Sequence, residues 1–186
     1  MKTGIIIGST RPNRLGEGVA AWVLEQSRQF HELEFEVLDL KAFELPLLNE
    51  PVPASASKGN YQHQHTRKWA EAVNACQSFV FVTPEYNHGT SAALKNAIDY
   101  LFQEWDGKPC AFVSYGAAGG IRAVEQLRQN VITVGLIAIR PQVTFNLATD
   151  FDNGILKPNE RHQRTLSGLF TELHRWTLSC SYYRNQ

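Results

Sequence analysis

The sequence has few cysteines, no long apolar run and no excess of charge of either sign. Its three cysteines, Cys76, Cys110 and Cys180, form no CxxC pair, which argues against a disulfide framework and for a reducing compartment. No apolar run approaches the roughly 18 residues of a membrane-spanning helix, and the N-terminus has no apolar core of signal-peptide length. The 18 basic and 18 acidic side chains cancel, whereas a nucleic-acid-binding domain is expected to be basic. We therefore expect a cytoplasmic protein with neither a membrane nor a nucleic-acid partner.

The chain does contain short apolar runs that alternate with segments of helical period. Its 186 residues suit one domain, which we place at 1–186. The apolar runs predict strands at 5–8, 35–40, 79–83, 111–114 and 137–143. Apolar residues three and four positions apart predict helices around Trp22, Trp69, Ile98, Leu127 and Leu169. This alternation predicts an α/β fold, with a five-stranded parallel sheet covered by helices on both faces.

Two of the predicted strands carry residues that are typical of sheet edges. The second contains Glu36 and Asp39, and the fifth contains Arg140 and Pro141, which donates no ladder hydrogen bond. With these two strands outermost, we predict the order 2-1-3-4-5. This is the flavodoxin-like arrangement, a three-layer sandwich. The proline-rich stretch 46–59 is expected to be a loop.

The predicted strand order locates the expected site. Ligands of such sheets bind beyond the carboxyl ends of the strands, near the point where the strand order reverses. This rule selects the loops 8–16, 84–89 and 114–120, all rich in glycine and polar residues. We therefore expect a functional site where these three loops meet.

The first loop, GSTRPNRLG, has the composition of an anion site. Hydroxyls, an amide and backbone N–H groups at the start of a helix favour a bound anion, and Arg11 or Arg14 would add charge. The loop matches neither the Walker A pattern nor GxGxxG. The alternative is a plain strand-to-helix turn capped by Ser9 or Asn13.

The second loop, PEYNHG, follows the most apolar strand and is suited to a flat ring. Tyr86 can stack on a ring, while Asn87 and the backbone amides can bond its edges. Glu85 and His88 are candidates for an acid–base pair. The alternative is a capping turn with a half-buried tyrosine.

The third loop, SYGAAGG, has three glycines and two alanines, which allow a ligand to approach the backbone closely. The alternative is a loose loop before the fourth helix. We predict no metal site, since His63 and His65 have no third ligand at a suitable spacing.

Taken together, the motifs resemble a known family. In chain order the sequence contains GSTRPNR at 8–14, PEYNHG at 84–89, LKNAID at 94–99, SYG at 114–116 and two glycines at 119–120. This set is similar to the NADPH-dependent FMN reductases, flavodoxin-like flavoproteins that include quinone and azo-dye reductases. The similarity extends from about Lys2 to Val143 and does not include the final helix, from Glu160 onward.

The resemblance implies which residues bind FMN. It assigns the phosphate and ribityl chain to Ser9, Thr10, Arg11, Arg14, Leu15 and Gly16. It assigns the isoalloxazine ring to Pro84, Glu85, Tyr86, Asn87 and His88, and the other edge of the ring to Ser114, Tyr115 and Gly116. It also implies a homodimer or homotetramer.

The resulting hypothesis is a flavin-dependent oxidoreductase. NADPH or NADH would pass a hydride to FMN, and the flavin would pass electrons to a quinone, an azo compound or free flavin by a ping-pong mechanism. Backbone N–H groups of the turn 86–89 would stabilise negative charge at the N1–C2=O edge of the flavin. His88 is the one catalytic candidate, and Arg122 is a candidate for the 2′-phosphate of NADPH.

Two alternatives lack an NAD(P)H reaction of their own. The first is a flavodoxin-type one-electron carrier, although such carriers tend to be acidic and this chain has no net charge. The second is a flavin redox sensor that acts on a partner protein.

Overall fold

A parallel sheet of five strands forms the middle layer of the molecule. The computed structural model describes residues 1–184, and within them the sheet contains β1 (Lys2–Ile7), β2 (Glu34–Asp39), β3 (Ser78–Pro84), β4 (Pro109–Gly116) and β5 (Ile137–Asn146). Its order is β2-β1-β3-β4-β5, with all neighbours parallel. The predicted fold class and strand order are therefore confirmed.

Seven helices are formed by the same 184 residues. They are α1 (Gly16–Ser27), α2 (Leu40–Phe43), α3 (Ala54–Ser57), α4 (Gln64–Asn74), α5 (Ala92–Asp99), α6 (Ile121–Thr133) and α7 (Glu160–Arg184). The five predicted helices correspond to the longer ones. Helices α2 and α3 were not predicted, because four residues are too few to show a helical period. No helix within residues 1–184 is both long and apolar enough to cross a membrane.

The pleat of the sheet divides the core into two halves. Ile5 and Ile7 belong to the half that α1 and α7 cover, whereas Ile6 between them faces α4, α5 and α6. This follows from the alternation of side chains along a strand. The central strands β3 and β4 are buried throughout, which explains their continuous apolar sequence.

The two edge strands contain the charged residues and the proline from which the sequence predicted that they lie at the edges of the sheet. Glu34 and Glu36 alternate outward on β2, and Arg140 is exposed on β5. The pairing of β5 with β4 shifts register around Arg140 and Pro141. Cys110 pairs with Ala138, whereas Phe112 pairs with Gln142. A proline without an N–H is accommodated at such an irregular edge.

The chain returns over the carboxyl end of the sheet after β5. Strands β6 (Phe151–Asp152) and β7 (Ile155–Leu156) form a two-residue hairpin through Asn153 and Gly154, whose φ angles are 48° and 81°. Positive φ at both positions is typical of such hairpins. Gly154 lies against Leu15 at the start of α1, so this segment borders the first loop.

Candidate functional site

The three glycine-rich loops meet at a cavity of about 240 Å³ beyond the carboxyl ends of β1, β3 and β4. Each loop supplies part of the lining. The lining residues are Arg11, Asn13, Arg14, Leu15, Pro84, Glu85, Tyr86, Tyr115, Gly116 and Leu147. We call this space the loop cavity.

The guanidinium of Arg14 is buried and bonded to the protein on all sides. It donates to Glu17 at 2.9 and 2.7 Å, to Asp39 at 2.8 and 2.6 Å, and to the carbonyl of Ser9. Burial by itself would lower the pKa of Arg14, but the bonds to Asp39 and Glu17 outweigh it and raise the pKa. All five N–H groups are in use. Arg14 therefore fastens the first loop to the edge strand β2, and its assignment to the FMN phosphate stays a prediction.

The start of α1 leaves donors available for an anion. The N-cap residue Leu15 makes no side-chain cap, and the N–H groups of Glu17 and Gly18 find no acceptor within residues 1–184. Arg11 is exposed, lines the loop cavity and forms no ion pair in the same range. A helix N-terminus next to an unpaired arginine is suited to a phosphate.

The second loop contains a tight turn with two outward donors. Tyr86 and Gly89 exchange backbone hydrogen bonds of 2.8 and 2.9 Å, and Asn87 and His88 between them have φ angles of 50° and 67°. These angles define a type I′ turn. The N–H groups of Tyr86 and Gly89 are thus used, whereas those of Asn87 and His88 have no acceptor in the described part of the chain. Of the backbone N–H groups at 86–89 that the sequence predicts as donors to the flavin, only these two are therefore available within residues 1–184.

Glu85 connects the second loop to α6. Its carboxylate accepts hydrogen bonds from Nε of Arg122 at 2.7 Å and from the N–H of Arg122 at 3.1 Å. Burial raises the pKa of Glu85, but the bonds from Arg122 outweigh it and lower the pKa. Glu85 is thus an ionised partner of Arg122, and Arg122 is already paired within the protein. The acid–base pairing of Glu85 with His88 stays a prediction.

Hydroxyl groups connect the first two loops. Oγ of Ser9 and Oη of Tyr86 lie 2.8 Å apart, and Ser9 is fully buried. The hydroxyl of Tyr115 lies beside Ser9 and Gly16 but has no hydrogen-bond partner among the residues that the structure describes. Burial, and then the nearby Tyr86, raises the pKa of Tyr115. A buried hydroxyl without a partner is costly, so this donor is available to a ligand oxygen.

The third loop is shaped by glycines that leave no room for a side chain. Gly120 has a φ of 76°, and a Cβ there would lie 2.7 Å from Cβ of Ser114. The hydroxyl of Ser114 donates to the carbonyl of Gly119 at 2.7 Å. Ser114 is fully buried outside the cavity lining, and its assignment to the flavin edge stays a prediction. Ser114 positions the loop.

Eight of the fourteen residues assigned by resemblance line the loop cavity, and six do not. Those six are Ser9, Gly16 and Ser114 behind the lining, Asn87 and His88 on the exposed turn, and Thr10, which borders a cavity next to α2. The sequence analysis missed Leu147. This residue follows β5, beyond the motifs, and its N–H donates to the carbonyl of Gly116 at 3.1 Å. This long-range contact brings it to the site.

Comparison with known proteins decides the family. The profile of the NADPH-dependent FMN reductases matches residues 1–150. The chain belongs to this family. It is 45% identical over 138 residues to an NAD(P)H-dependent FMN reductase of Saccharomyces cerevisiae, covering 69% of this chain and 72% of that protein. It is 34% identical over 138 residues to a quinone reductase of Pseudomonas putida, covering 69% and 68%.

A solved structure shows the same fold over nearly the whole chain. It is the flavoenzyme NAD(P)H:(acceptor) oxidoreductase of Paracoccus denitrificans, with a TM-score of 0.74 and 20% identity, covering 96% of this chain and 97% of that one. As a member of the NADPH-dependent FMN reductases, the chain is an oxidoreductase whose flavin is FMN and whose electron donor is NAD(P)H.

The loop cavity offers hydrogen-bond donors and a cation that suit FMN. Arg11 and the start of α1 offer a cation and N–H groups for the phosphate, and the unpaired hydroxyl of Tyr115 lies close to them. The N–H groups of Asn87 and His88 have no acceptor within residues 1–184 and lie on the turn that follows Tyr86, which lines the cavity. Gly116 lets the second and third loops approach, since a Cβ there would lie 3.0 Å from Cβ of Glu85.

Proposed function

We propose that this protein transfers electrons from NAD(P)H to a quinone, with FMN held in the loop cavity. The observation that carries the proposal is the meeting, at one cavity, of the three glycine-rich loops with the uncapped start of α1 and with Arg11, which has no ion pair within residues 1–184. When bound, FMN supplies the redox chemistry, by accepting a hydride and passing the electrons on. No side chain has to act as a nucleophile.

The residues of the chain act by stabilising negative charge and by keeping the cofactor and the turn in position. Arg11 and the first turn of α1 neutralise the phosphate and keep the cofactor bound. The N–H groups of Asn87 and His88 are fixed in place by the type I′ turn before the reaction begins, so they stabilise developing negative charge without reorganisation. Glu85 and Arg122 keep this turn against α6.

The electron donor and the electron acceptor would bind at the loop cavity one after the other, because all three loops open onto this one space. We therefore propose a ping-pong mechanism, for which initial-rate lines at different acceptor concentrations should be parallel. Quinones are the first acceptor class to test, since a quinone reductase is among the relatives. Azo compounds and free flavin are the other two.

We further propose a homodimer or homotetramer in the cytoplasm. An apolar surface that suits self-association is formed by Leu47, Leu48 and Val52, which are 81%, 48% and 44% exposed. Asn96 holds this segment through bonds to the carbonyl of Pro46 and the N–H of Leu48. Sedimentation of the wild type and of Leu47→Asp tests this: a lighter species for the variant supports it.

Anaerobic reduction separates the enzyme from its alternatives. NADPH added to the FMN-loaded protein without oxygen should bleach the flavin absorption, and a quinone added afterwards should restore it. Flavin that stays oxidised with both NADPH and NADH would overturn the proposal in favour of a carrier or a redox sensor.

A further inference from the structure

A second polar cavity of about 360 Å³ lies next to the loop cavity. It is bounded by the third loop, by the end of β5 with residues 146–150, and by the first turns of α7. The two cavities share one wall, which contains two hydrogen bonds. Nδ2 of Asn146 donates to the carbonyl of Ala117, and the N–H of Leu147 donates to the carbonyl of Gly116. Its volume is in the range of small-molecule sites. We call it the α7 cavity.

Arg161 is the cation of the α7 cavity. It is exposed, lines the cavity, and its guanidinium makes no ion pair or hydrogen bond within residues 1–184. Two other arginines of this sheet edge are already paired: Arg14 with Asp39 and Glu17, and Arg122 with Glu85. Arg11 belongs to the loop cavity. The two neighbouring cavities therefore have one unpaired arginine each.

His162 lines the same cavity and has an Nε2 without a hydrogen-bond partner within residues 1–184. Its Nδ1 accepts a hydrogen bond from the N–H of Asn159 at 3.1 Å, so the proton of the neutral ring is on Nε2. The nearest acceptor of Nε2 is Oδ2 of Asp150 at 3.7 Å, which is beyond hydrogen-bonding distance. The residue is 9% exposed, and its ring packs on Phe145 with centroids 4.5 Å apart. The ring is thus held by packing and by its Nδ1 bond, and its Nε2–H has no hydrogen-bonded acceptor within residues 1–184.

Hydroxyl groups complete the lining. Thr144 and Thr149 border the cavity, and their hydroxyls make no hydrogen bond within the described residues. Asp150 is held by the N–H of Asn146 at 2.7 Å and offers a carboxylate oxygen. Hydroxyls and a carboxylate suit the hydroxyls of a ribose, whereas Arg161 and the N–H of His162 suit a phosphate.

We propose that the α7 cavity binds the 2′-phosphorylated ribose of NADPH, with Arg161 and Nε2 of His162 on the phosphate. The inference rests on the proposed function, because it assigns the adenosine half of the donor whose nicotinamide reaches the loop cavity across the shared wall. It replaces Arg122, paired to Glu85, as the residue that distinguishes NADPH from NADH. A 2′-phosphate is the one group that NADPH has and NADH lacks, so an unpaired arginine here sets the donor preference.

Binding of adenosine 2′,5′-bisphosphate and of 5′-AMP to the FMN-loaded protein, measured by calorimetry, tests the proposal without turnover. The wild type should bind the bisphosphate at least tenfold more tightly than 5′-AMP. Arg161→Ala should remove this difference and leave the affinity for 5′-AMP within twofold. Arg164→Ala removes the same charge one turn along α7, outside the cavity lining, and should bind like the wild type.

Equal binding of the two nucleotides by the wild type, or an undiminished preference in Arg161→Ala, would overturn the inference. Inorganic phosphate at the same ionic strength is the third ligand. If it binds as tightly as the bisphosphate, the cavity is a general anion site and the assignment to NADPH fails. Initial rates give a second readout: Arg161→Ala should raise KM for NADPH about tenfold and leave KM for NADH within twofold. A wild type that binds the bisphosphate but cannot be reduced by NADPH would sink the proposed function alone.

Discussion

Arg14 and Asp39 form a two-point ion pair, with Nη1 and Nη2 of the guanidinium 2.8 and 2.6 Å from the two carboxylate oxygens. The pair joins the first loop to the end of β2, across 25 residues of sequence. The Arg14 side chain is 2% exposed, so this contact stays mostly out of solvent. Its partner Asp39 also caps α2 by accepting from the N–H of Lys41. One buried arginine thus sets the position of the loop that precedes α1.

Arg14→Ala is therefore predicted to act on stability. The change removes five hydrogen bonds and leaves Asp39 without its cation, which should lower the free energy of unfolding by about 2 kcal/mol. Denaturant unfolding of the apoprotein measures this. Arg164→Ala, an exposed arginine on α7, serves as the control and should change stability by less than about 0.5 kcal/mol. Equal stability of the two variants would contradict the structural role of Arg14.

Gly120→Ala should damage the third loop. A Cβ would meet Cβ of Ser114 at 2.7 Å and the N–H of Tyr115 at 2.9 Å, at a φ of 76°. We expect a loss of about 2 kcal/mol or more, together with weaker FMN binding. Gly168→Ala is the matched control, because Gly168 lies on α7 with no atom near its missing Cβ in the described part of the chain. It should stabilise the protein by about 0.5–1 kcal/mol.

His88→Gly separates the imidazole from the backbone of the turn. The side chain of His88 is exposed, and its φ of 67° is unfavourable for a residue with a Cβ. Glycine keeps the N–H and relieves the backbone, so the variant should be more stable by about 0.5–1 kcal/mol. If the N–H is what acts on the flavin, kcat should stay within about threefold of the wild type. A fall of a hundredfold or more would show that the imidazole supplies the proton.

Lys108 should make stability depend on pH in the alkaline range. It is buried, its Nζ donates to the carbonyl of Val73 at 2.9 Å, and burial, reinforced by Arg184, lowers its pKa to about 8. Below about pH 8 the folded state bears the full cost of the buried charge. Between pH 8 and 10.5 the unfolded chain binds more protons, so the contribution to stability rises with pH.

The comparison of wild type with Lys108→Met isolates this contribution from the buried tyrosines and cysteines. The stability difference between the two proteins should shift in favour of the wild type by on the order of 3 kcal/mol from pH 7 to pH 10.5. A constant difference across this range would show that Lys108 has an ordinary pKa in the folded protein.

Regular patterns made the fold predictable from the sequence. The alternation of apolar runs with segments of helical period predicted the strands and helices, and the charged residues of β2 and β5 predicted the edges of the sheet. These signals are local, and the burial of β3 and β4 agrees with them. The positions of the three loops followed from the strand order.

The side-chain partners within the site were not predictable in the same way. Nothing near Arg14 in the sequence indicates that Asp39 is its partner, and Glu85 lies 37 residues from Arg122. Arg14 and Arg122 were predicted to bind phosphate groups because the sequence shows their charge but does not show their ion pairs. Leu147 was missed because it reaches the site only through the return of the chain after β5.

The most direct test of the FMN site is a titration of the apoprotein with FMN, for wild type and Arg11→Ala, followed by quenching of flavin fluorescence. Arg11 is unpaired and exposed at the loop cavity, so the variant should keep the wild-type stability and raise the Kd for FMN by about tenfold or more. An unchanged Kd in a folded variant would show that the phosphate is bound elsewhere, and would contradict the assignment of the loop cavity.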